Sequence, residues 1–261
     1  MYNPIDITYI REKLTNTQPP IQLYYFETID STNRFLKAIE TIEPDTWMCC
    51  IANEQTAGRG RFGKTWISPK GVNIYCSVGF HLPSTHENLA GISLVTGLSI
   101  LATLASYMPT EDLYVKWPND VLYQHRKLCG ILIEQNLNHL IIGIGINVNT
   151  VFQDPPPLEK PWGSIYELTG RFLNRNILLI DLLIKLTSYL QRFWTHGLSN
   201  FMHEWQQADY LMNKKIRMSI QKKETIGFSR GITKTGQLIF EDLQGEMHYL
   251  TSGNASLLTF L

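Results

Sequence analysis

The sequence predicts an α+β protein that ends in a small all-β domain. Residues 1–212 alternate helical and strand patterns and finish with two helical segments. After residue 213 the pattern changes to short strands, separated by turns that contain glycine or paired lysines. We therefore expect two domains, 1–212 and 213–261, of which the second is a small barrel.

The elements follow from hydrophobic periodicity and from helix-capping and turn residues. A helix is expected after the capping residues of Asp30-Ser31-Thr32-Asn33, because Phe35, Leu36 and Ile39 then share one face. Strands are expected at 47–52, 73–82, 113–117, 128–134 and 139–148, helices at 177–194 and 198–211, and a proline-rich loop at 154–161. In the C-terminal part, strands are expected at 214–220, 225–232, 237–241 and 247–250.

The segment 88–110 has no charged residue and is long enough to span a bilayer. Small polar residues nevertheless recur in it every three or four positions, opposite a face of Leu, Ile and Val. This spacing favours a buried amphipathic helix of the core over a membrane span.

The amino-acid composition excludes few classes of protein. The chain has 261 residues, with 23 Lys and Arg against 23 Asp and Glu, so a protein that coats nucleic acid is not expected. The four cysteines form no C-x-x-C pair, and we expect them to be buried and reduced. The N-terminal residues lack the pattern of a signal peptide, which leads us to expect a cytoplasmic protein.

The segment 55–66, QTAGRGRFGKTW, matches two phosphate-binding patterns that both begin at Gly58. One is the dinucleotide pattern G-x-G-x-x-G, and the other is the P-loop pattern G-x-x-x-x-G-K-[ST]. Both patterns require a helix whose N-terminus meets the phosphate. Pro69 and Gly71 would break such a helix, and strand periodicity follows them, so neither interpretation is favoured.

A glycine-rich loop with three cations remains, formed by Arg59, Arg61 and Lys64 beside Trp66. Guanidinium groups match carboxylates and phosphates, and an indole ring can stack on a base. We therefore favour a loop that closes over a phosphorylated or adenylated ligand. The alternative is a solvated basic surface loop.

Two further clusters could serve the same ligand. Lys116-Trp117-Pro118-Asn119-Asp120 and Lys127 bracket an expected hairpin, where Lys127 precedes an apolar strand. The segment 143–149 combines two glycines with the amide of Asn147, which suits a purine edge. Each cluster taken alone could also be an ordinary turn or a bulged strand.

Together these motifs resemble those of the biotin protein ligases. The matching segments are Asp30-Ser31-Thr32-Asn33, Gln55-x-x-Gly58-Arg59-Gly60-Arg61-x-Gly63, Lys116-Trp117-Pro118-Asn119-Asp120, Lys127-Leu128-x-Gly130-Ile131-Leu132 and Gly143-x-Gly145-x-Asn147. The resemblance implies a core like that of class II aminoacyl-tRNA synthetases, with an SH3-like C-terminal domain. It also implies that biotin and MgATP form biotinyl-5′-AMP, which then acylates a lysine of a biotin carboxyl carrier protein.

The resemblance also implies roles for individual residues. Lys127, Arg59 and Arg61 would be catalytic. The biotin site would consist of Ser31, Thr32, Asn33, Gln55, Arg59, Gly60, Arg61 and Lys127, and the ATP or adenylate site of Lys64, Trp66, Asn119, Asp120 and Asn147. Mg²⁺ would arrive with ATP, near Asp120, rather than in a site formed by the protein alone.

The sequence departs from the family pattern at Lys64, where arginine is frequent, and at Thr65, where a basic residue is frequent. A bidentate phosphate contact at position 64 is therefore not expected. Only 29 residues precede Asp30, so we expect no helix-turn-helix domain and no specific DNA binding.

Several alternatives stay open at this point. They are a lipoate–protein ligase, which shares the fold and the adenylating chemistry, a P-loop NTPase, and a non-catalytic biotin- or nucleotide-binding module. The sequence also leaves open whether the protein is a monomer or a homodimer, although strand 139–148 could pair two chains as an edge strand.

Overall fold

Two β-sheets organise the chain. The computed structural model describes residues 4–82, 89–136, 139–151, 162–220, 223–253 and 255–257. The strands are β1 Ile21–Phe26, β2 Trp47–Ala52, β3 Ile74–His81, β4 Leu113–Lys116, β5 Asp120–Tyr123, β6 Arg126–Asn136, β7 His139–Ile146, β8 Lys215–Ile220, β9 Lys223–Ile232, β10 Leu238–Asp242, β11 Met247–Leu250 and β12 Ser256–Leu257. The α-helices are α1 Ile7–Lys13, α2 Thr32–Lys37, α3 Leu89–Leu104, α4 Ile165–Thr169, α5 Arg175–His196 and α6 Met202–Ala208.

The larger sheet has seven strands in the order β1-β2-β3-β7-β6-β5-β4. Only β1 and β2 run parallel, and the remaining neighbours are antiparallel. β7 lies between β3 and β6, so the expectation that it could pair two chains as an edge strand is wrong. Both rows of its backbone hydrogen bonds are already used within the sheet.

The predicted core helix is α3, which packs beside α5 on the larger sheet. Ser99 and Thr103 of this helix are buried, and their hydroxyls donate to carbonyls of the helix itself. Ser99 Oγ donates to the oxygen of Thr96, and Thr103 Oγ1 donates to the oxygen of Ser99, each at 2.8 Å. Over the described residues, none of the helices has the length and apolarity needed to cross a membrane.

The second sheet has five antiparallel strands in the order β11-β10-β9-β8-β12. Its first four strands lie where the sequence predicts them, whereas the two-residue β12 was not predicted. Within the described part of the chain β11 and β12 are not paired with each other, so the sheet is open and the expected closed barrel is not observed. The two sheets meet where Trp117 Nε1 donates to the oxygen of Gly236 at 3.1 Å.

The α+β class is confirmed, and several elements differ in detail. The sequence missed α1, β1, β5 and α4, which are short, and it predicted one helix at 198–211 where a 3₁₀ turn, Leu198–Phe201, precedes α6. The predicted loop at 154–161 lies outside the described residues. All four cysteines are buried and unbridged, as predicted, and burial raises the pKa of the Cys76 thiol to about 12.

Candidate active site

One cavity of about 390 Å³ opens above strands β6 and β7. All thirteen residues that the sequence nominated for catalysis or binding line it: Ser31, Thr32, Asn33, Gln55, Arg59, Gly60, Arg61, Lys64, Trp66, Asn119, Asp120, Lys127 and Asn147. These residues come from five separate stretches of the chain, and the folding of the larger sheet brings them together.

Three glycines let side chains lie directly on the sheet at the floor of the cavity. A Cβ on Gly143 would stand 2.2 Å from Asn33 Oδ1, and one on Gly145 would stand 2.5 Å from the ring of Trp66. A Cβ on Gly130, the partner of Gly145 across β6 and β7, would stand 2.8 Å from the same indole. The glycines therefore admit Asn33 at one place and Trp66 two residues further along β7, as the sequence suggested for a close backbone approach.

Neutral polar groups line the end of the cavity nearest Gly143. The α2 helix begins here, and Ser31 Oγ accepts from the backbone nitrogen of Arg34, which is a standard helix N-cap. The backbone nitrogen and Oγ1 of Thr32 both donate to Gln55 Oε1, at 2.9 and 3.1 Å. Gln55 Nε2 in turn donates to Ser68 Oγ at 3.1 Å.

Ser77, which is completely buried, connects two of these groups. Its Oγ lies 2.6 Å from Thr32 Oγ1 and 2.6 Å from Asn33 Oδ1. The single hydroxyl proton of Ser77 can be given to only one of these two oxygens at a time. This end of the cavity holds uncharged hydrogen-bond donors and acceptors.

The glycine-arginine loop has the backbone of a narrow turn. Arg59 and Thr65 pair as an antiparallel bridge, and the nitrogen of Gly60 donates to the oxygen of Lys64 at 2.7 Å. Phe62 sits at the tip with a φ of 56°. No helix begins at Lys64, and the next regular element of the described chain is β3, so the P-loop and dinucleotide interpretations are excluded by geometry.

Arg61 reaches from this loop to the second sheet. Its guanidinium donates to Asn119 Oδ1 and to the backbone oxygen of Gly253, each at 3.3 Å. Burial lowers the pKa of Arg61, and the nearby carboxylate of Asp120 opposes that shift. The group still keeps its charge near neutral pH, because an arginine pKa begins above 12.

Lys127 provides a second, fixed cation. Its Nζ lies 2.6 Å from Asp120 Oδ1 and 5.3 Å from the ring centroid of Trp66. Lys64, by contrast, is exposed at the cavity mouth, where its ammonium adds positive charge. Lys127 and the indole of Trp66 thus occupy the end of the cavity nearest Gly130 and Gly145.

The side-chain amides of Asn119 and Asn147 also line the cavity. Asn119 Nδ2 donates to the oxygen of Ile131 at 2.8 Å, which holds the turn between β4 and β5 against β6. Asn147 Nδ2 donates to the oxygen of Gly163 at 3.2 Å, so one of its two amide protons is already used. The indole nitrogen of Trp66 is buried, and no acceptor for it occurs among the described residues.

Sequence reasoning missed several residues of this site. Ser68 and Ser77 hold the polar end, Glu134 contacts Asn33 and Arg59, and Trp162 lines the cavity wall. Ser68, Ser77 and Trp162 belong to no glycine-rich or charged motif, so no local signal marks them. Glu134 alone offered a hint, as a carboxylate near the end of a predicted apolar strand.

Comparison with known proteins agrees with this geometry. Residues 25–149 match the Biotin/lipoate A/B protein ligase family. The chain is 36% identical over 219 residues to the bifunctional ligase/repressor BirA of Escherichia coli, a match that covers 82% of this chain and 67% of that protein. It is 28% identical to the biotin–[acetyl-CoA-carboxylase] ligase of Mycobacterium tuberculosis, covering 78% of this chain and 76% of that one.

A solved structure shows the same fold with ligands. The biotin protein ligase of Aquifex aeolicus, in complex with biotin and ATP, superposes with a TM-score of 0.79 at 29% identity, covering 91% of this chain and 98% of that one. The two sheets, the cavity between loop and sheet and the extent of the sequence identity all point to one family. The chain therefore belongs to the biotin protein ligases.

Proposed function

We propose that this protein is an ATP-dependent ligase that attaches biotin to a lysine of a biotin carboxyl carrier protein, such as that of acetyl-CoA carboxylase. The observation that carries the proposal is one cavity with neutral hydrogen-bonding groups at one end and the ammonium of Lys127 beside Trp66 at the other. Biotin has the same polarity, with an uncharged ureido ring and a carboxylate at the end of an apolar tail. The ligands of the Aquifex relative support the same assignment.

The neutral end would bind the ureido ring. Ser31, Thr32, Asn33 and Gln55 offer both donors and acceptors, which a ureido group needs because its nitrogens donate and its oxygen accepts. The oxygens of Thr32 and Asn33 beside Ser77 suit a ureido N–H. Gly60 lines the same cavity with bare backbone, which leaves room for the ligand.

The cationic end would carry out adenylation. A biotin carboxylate oxygen attacks the α-phosphorus of ATP, the bond to the β-phosphate breaks, and pyrophosphate leaves. Two anions must meet for this, so positive charge at fixed positions lowers the barrier. Lys127, Arg59 and Arg61 are the proposed catalytic cations. The lysine amine of the carrier then attacks the acyl carbon, and AMP leaves.

The nucleotide would lie beside Trp66 and Asn147, with its phosphates near Lys64, Asn119 and Asp120. The unpartnered indole nitrogen supports a polar contact at this place. Mg²⁺ would enter as MgATP. Asp120 can contribute one carboxylate oxygen, which fits an ion held mainly by phosphates and water.

Transfer assays with purified protein test the proposal. The protein is incubated with MgATP, a carrier domain and either biotin or lipoate, and labelled carrier is detected by mass spectrometry. We expect biotin transfer and no lipoate transfer. Lipoate transfer alone would indicate a lipoate–protein ligase, and biotin binding without transfer would indicate a non-catalytic module.

A further inference from the structure

Glu134, near the end of β6, joins two parts of the site through its two carboxylate oxygens. Oε2 accepts from Asn33 Nδ2 at 2.9 Å. Oε1 lies 3.3 Å from the guanidinium of Arg59 and 3.5 Å from Nζ of Lys37. The carboxylate is mostly buried, with 12% of its side chain exposed. One carboxylate therefore contacts the polar end of the cavity and the glycine-arginine loop at the same time.

We infer that Glu134 is a positioning residue. It orients Asn33 for biotin and couples the position of Arg59 to the orientation of Asn33. This inference rests on the proposed function, because it takes the polar end of the cavity as the biotin site. Glu134 itself does not line the cavity among the described residues, so its effect on a ligand passes through Asn33 and Arg59.

The first half of the argument concerns the amide of Asn33. Its Nδ2 donates to Glu134 and, at 3.4 Å, to the oxygen of Leu132, which leaves Oδ1 facing Ser77. A rotated amide would place its oxygen against a carboxylate, so the negative charge of Glu134 selects the observed orientation. Because a Cβ on Gly143 would be only 2.2 Å from Oδ1, Asn33 also has little room to move.

The second half concerns the loop. Arg59 belongs to the bridge that closes the turn with Thr65, and its guanidinium meets a carboxylate of β6. Charge-assisted contacts of this kind are directional as well as attractive. A ligand that orders Asn33 thereby favours the loop position in which Arg59 contacts Glu134. The same linkage requires that loss of Glu134's charge weakens biotin binding even though the loop sequence is unchanged.

Glu134→Gln tests the inference with little change in shape. Glutamine keeps an oxygen that can accept from Asn33 but loses the charge that faces Arg59. Biotin Kd is measured by titration calorimetry, and urea unfolding checks the fold. We expect the Kd to rise about tenfold, which corresponds to about 1.4 kcal/mol. Lys37→Met is the matched control, since it removes the other ion pair of Glu134 and we expect the Kd to stay within about twofold.

A double-mutant cycle separates positioning from general stability. In an Arg59→Met background the charge partner is already absent, so we expect Glu134→Gln to add less than about a twofold loss of biotin affinity. Equal losses in both backgrounds, or an unchanged Kd for Glu134→Gln alone, would overturn the inference. If the wild-type protein itself binds no biotin, the proposed function fails instead, so the two failures are distinguishable.

Discussion

Lys127 and Asp120 form an ion pair between β6 and the start of β5, with 2.6 Å between Nζ and Oδ1. Asp120 thus holds the ammonium in place beside the indole of Trp66, over which Nζ lies at 5.3 Å from the centroid. A cation fixed before the ligand arrives needs little reorganisation during the reaction. Lys127 is accordingly the best candidate for neutralising the charge that develops on adenylation.

Lys127→Ala is expected to slow adenylate formation about 10²- to 10³-fold, the range seen when one preorganised electrostatic contact is removed. Carrier binding should change little, because Lys127 lies inside the cavity. Single-turnover formation of biotinyl-5′-AMP measures the first quantity. Lys185→Ala, an exposed lysine of α5, is the control. An unchanged single-turnover rate would refute the role.

Arg61→Gly is expected to release biotinyl-5′-AMP before transfer. In the wild-type protein Arg61 joins the loop to Asn119 and to Gly253 in the C-terminal part of the chain, and both contacts disappear with the side chain. A reactive anhydride that escapes acylates any accessible lysine, so bystander proteins should become labelled. Blotting a mixture of carrier and bystander protein with streptavidin measures this, with Arg171→Gly as the control. Labelling confined to the carrier would contradict the prediction.

Gly143→Ala and Gly145→Ala form a matched pair on one strand. The first substitution places a methyl against Asn33 and the second places one against Trp66. We expect Gly143→Ala to lower kcat/KM mainly for biotin and Gly145→Ala to lower it mainly for ATP, each on the order of 10²-fold, as displacements of about 1 Å can do. Steady-state kinetics with each substrate varied in turn provide the test. The same substrate affected by both variants would show that the two ends of the cavity are not separate.

Arg175 is expected to matter for stability rather than for catalysis. The side chain is completely buried, and its guanidinium donates to Asn53 Oδ1 and to the oxygen of Asn73 at 3.0 Å. Arg175→Met leaves these buried acceptors without their donor, and we expect the free energy of unfolding to fall by about 3 kcal/mol. Urea denaturation measures the change. Arg171→Met, at an exposed position, should lose less than about 0.5 kcal/mol.

The burial of His139 is expected to make the free energy of unfolding depend on pH. Its Nε2 accepts from the backbone nitrogen of Ile42 at 3.0 Å, and burial together with the neighbouring His81 lowers its pKa in the folded protein. Between that lowered pKa and the unfolded value of about 6.5, the unfolded chain binds more protons, so stability falls as the pH drops below about 6.5.

Urea unfolding at pH 7.5 and 5.5 measures this effect. His139→Gln can still accept from Ile42 but does not titrate, so we expect the difference between the two pH values to be smaller in the variant than in the wild-type protein. An equal difference in both proteins would assign the pH dependence to other groups.

Sequence alone was sufficient for the α+β class and for most strands, and together with the family resemblance for thirteen of the residues that line the cavity. These features are local: strand and helix periods appear within a dozen residues, and the glycine-arginine and lysine motifs are contiguous. The argument against a P-loop is also local, because it depends on Pro69 and Gly71, which follow the motif closely in the chain.

Only the tertiary structure shows how the strands and the motif residues are arranged relative to one another. It placed β7 in the middle of the sheet, left the second sheet open among the described residues, and brought Glu134 to Asn33 and Arg59. Arg61 and Gly253 are 192 residues apart in the chain, and no local pattern links them. Contacts of this kind depend on strand order and register across the whole sheet, and periodicity within one strand carries no information about either.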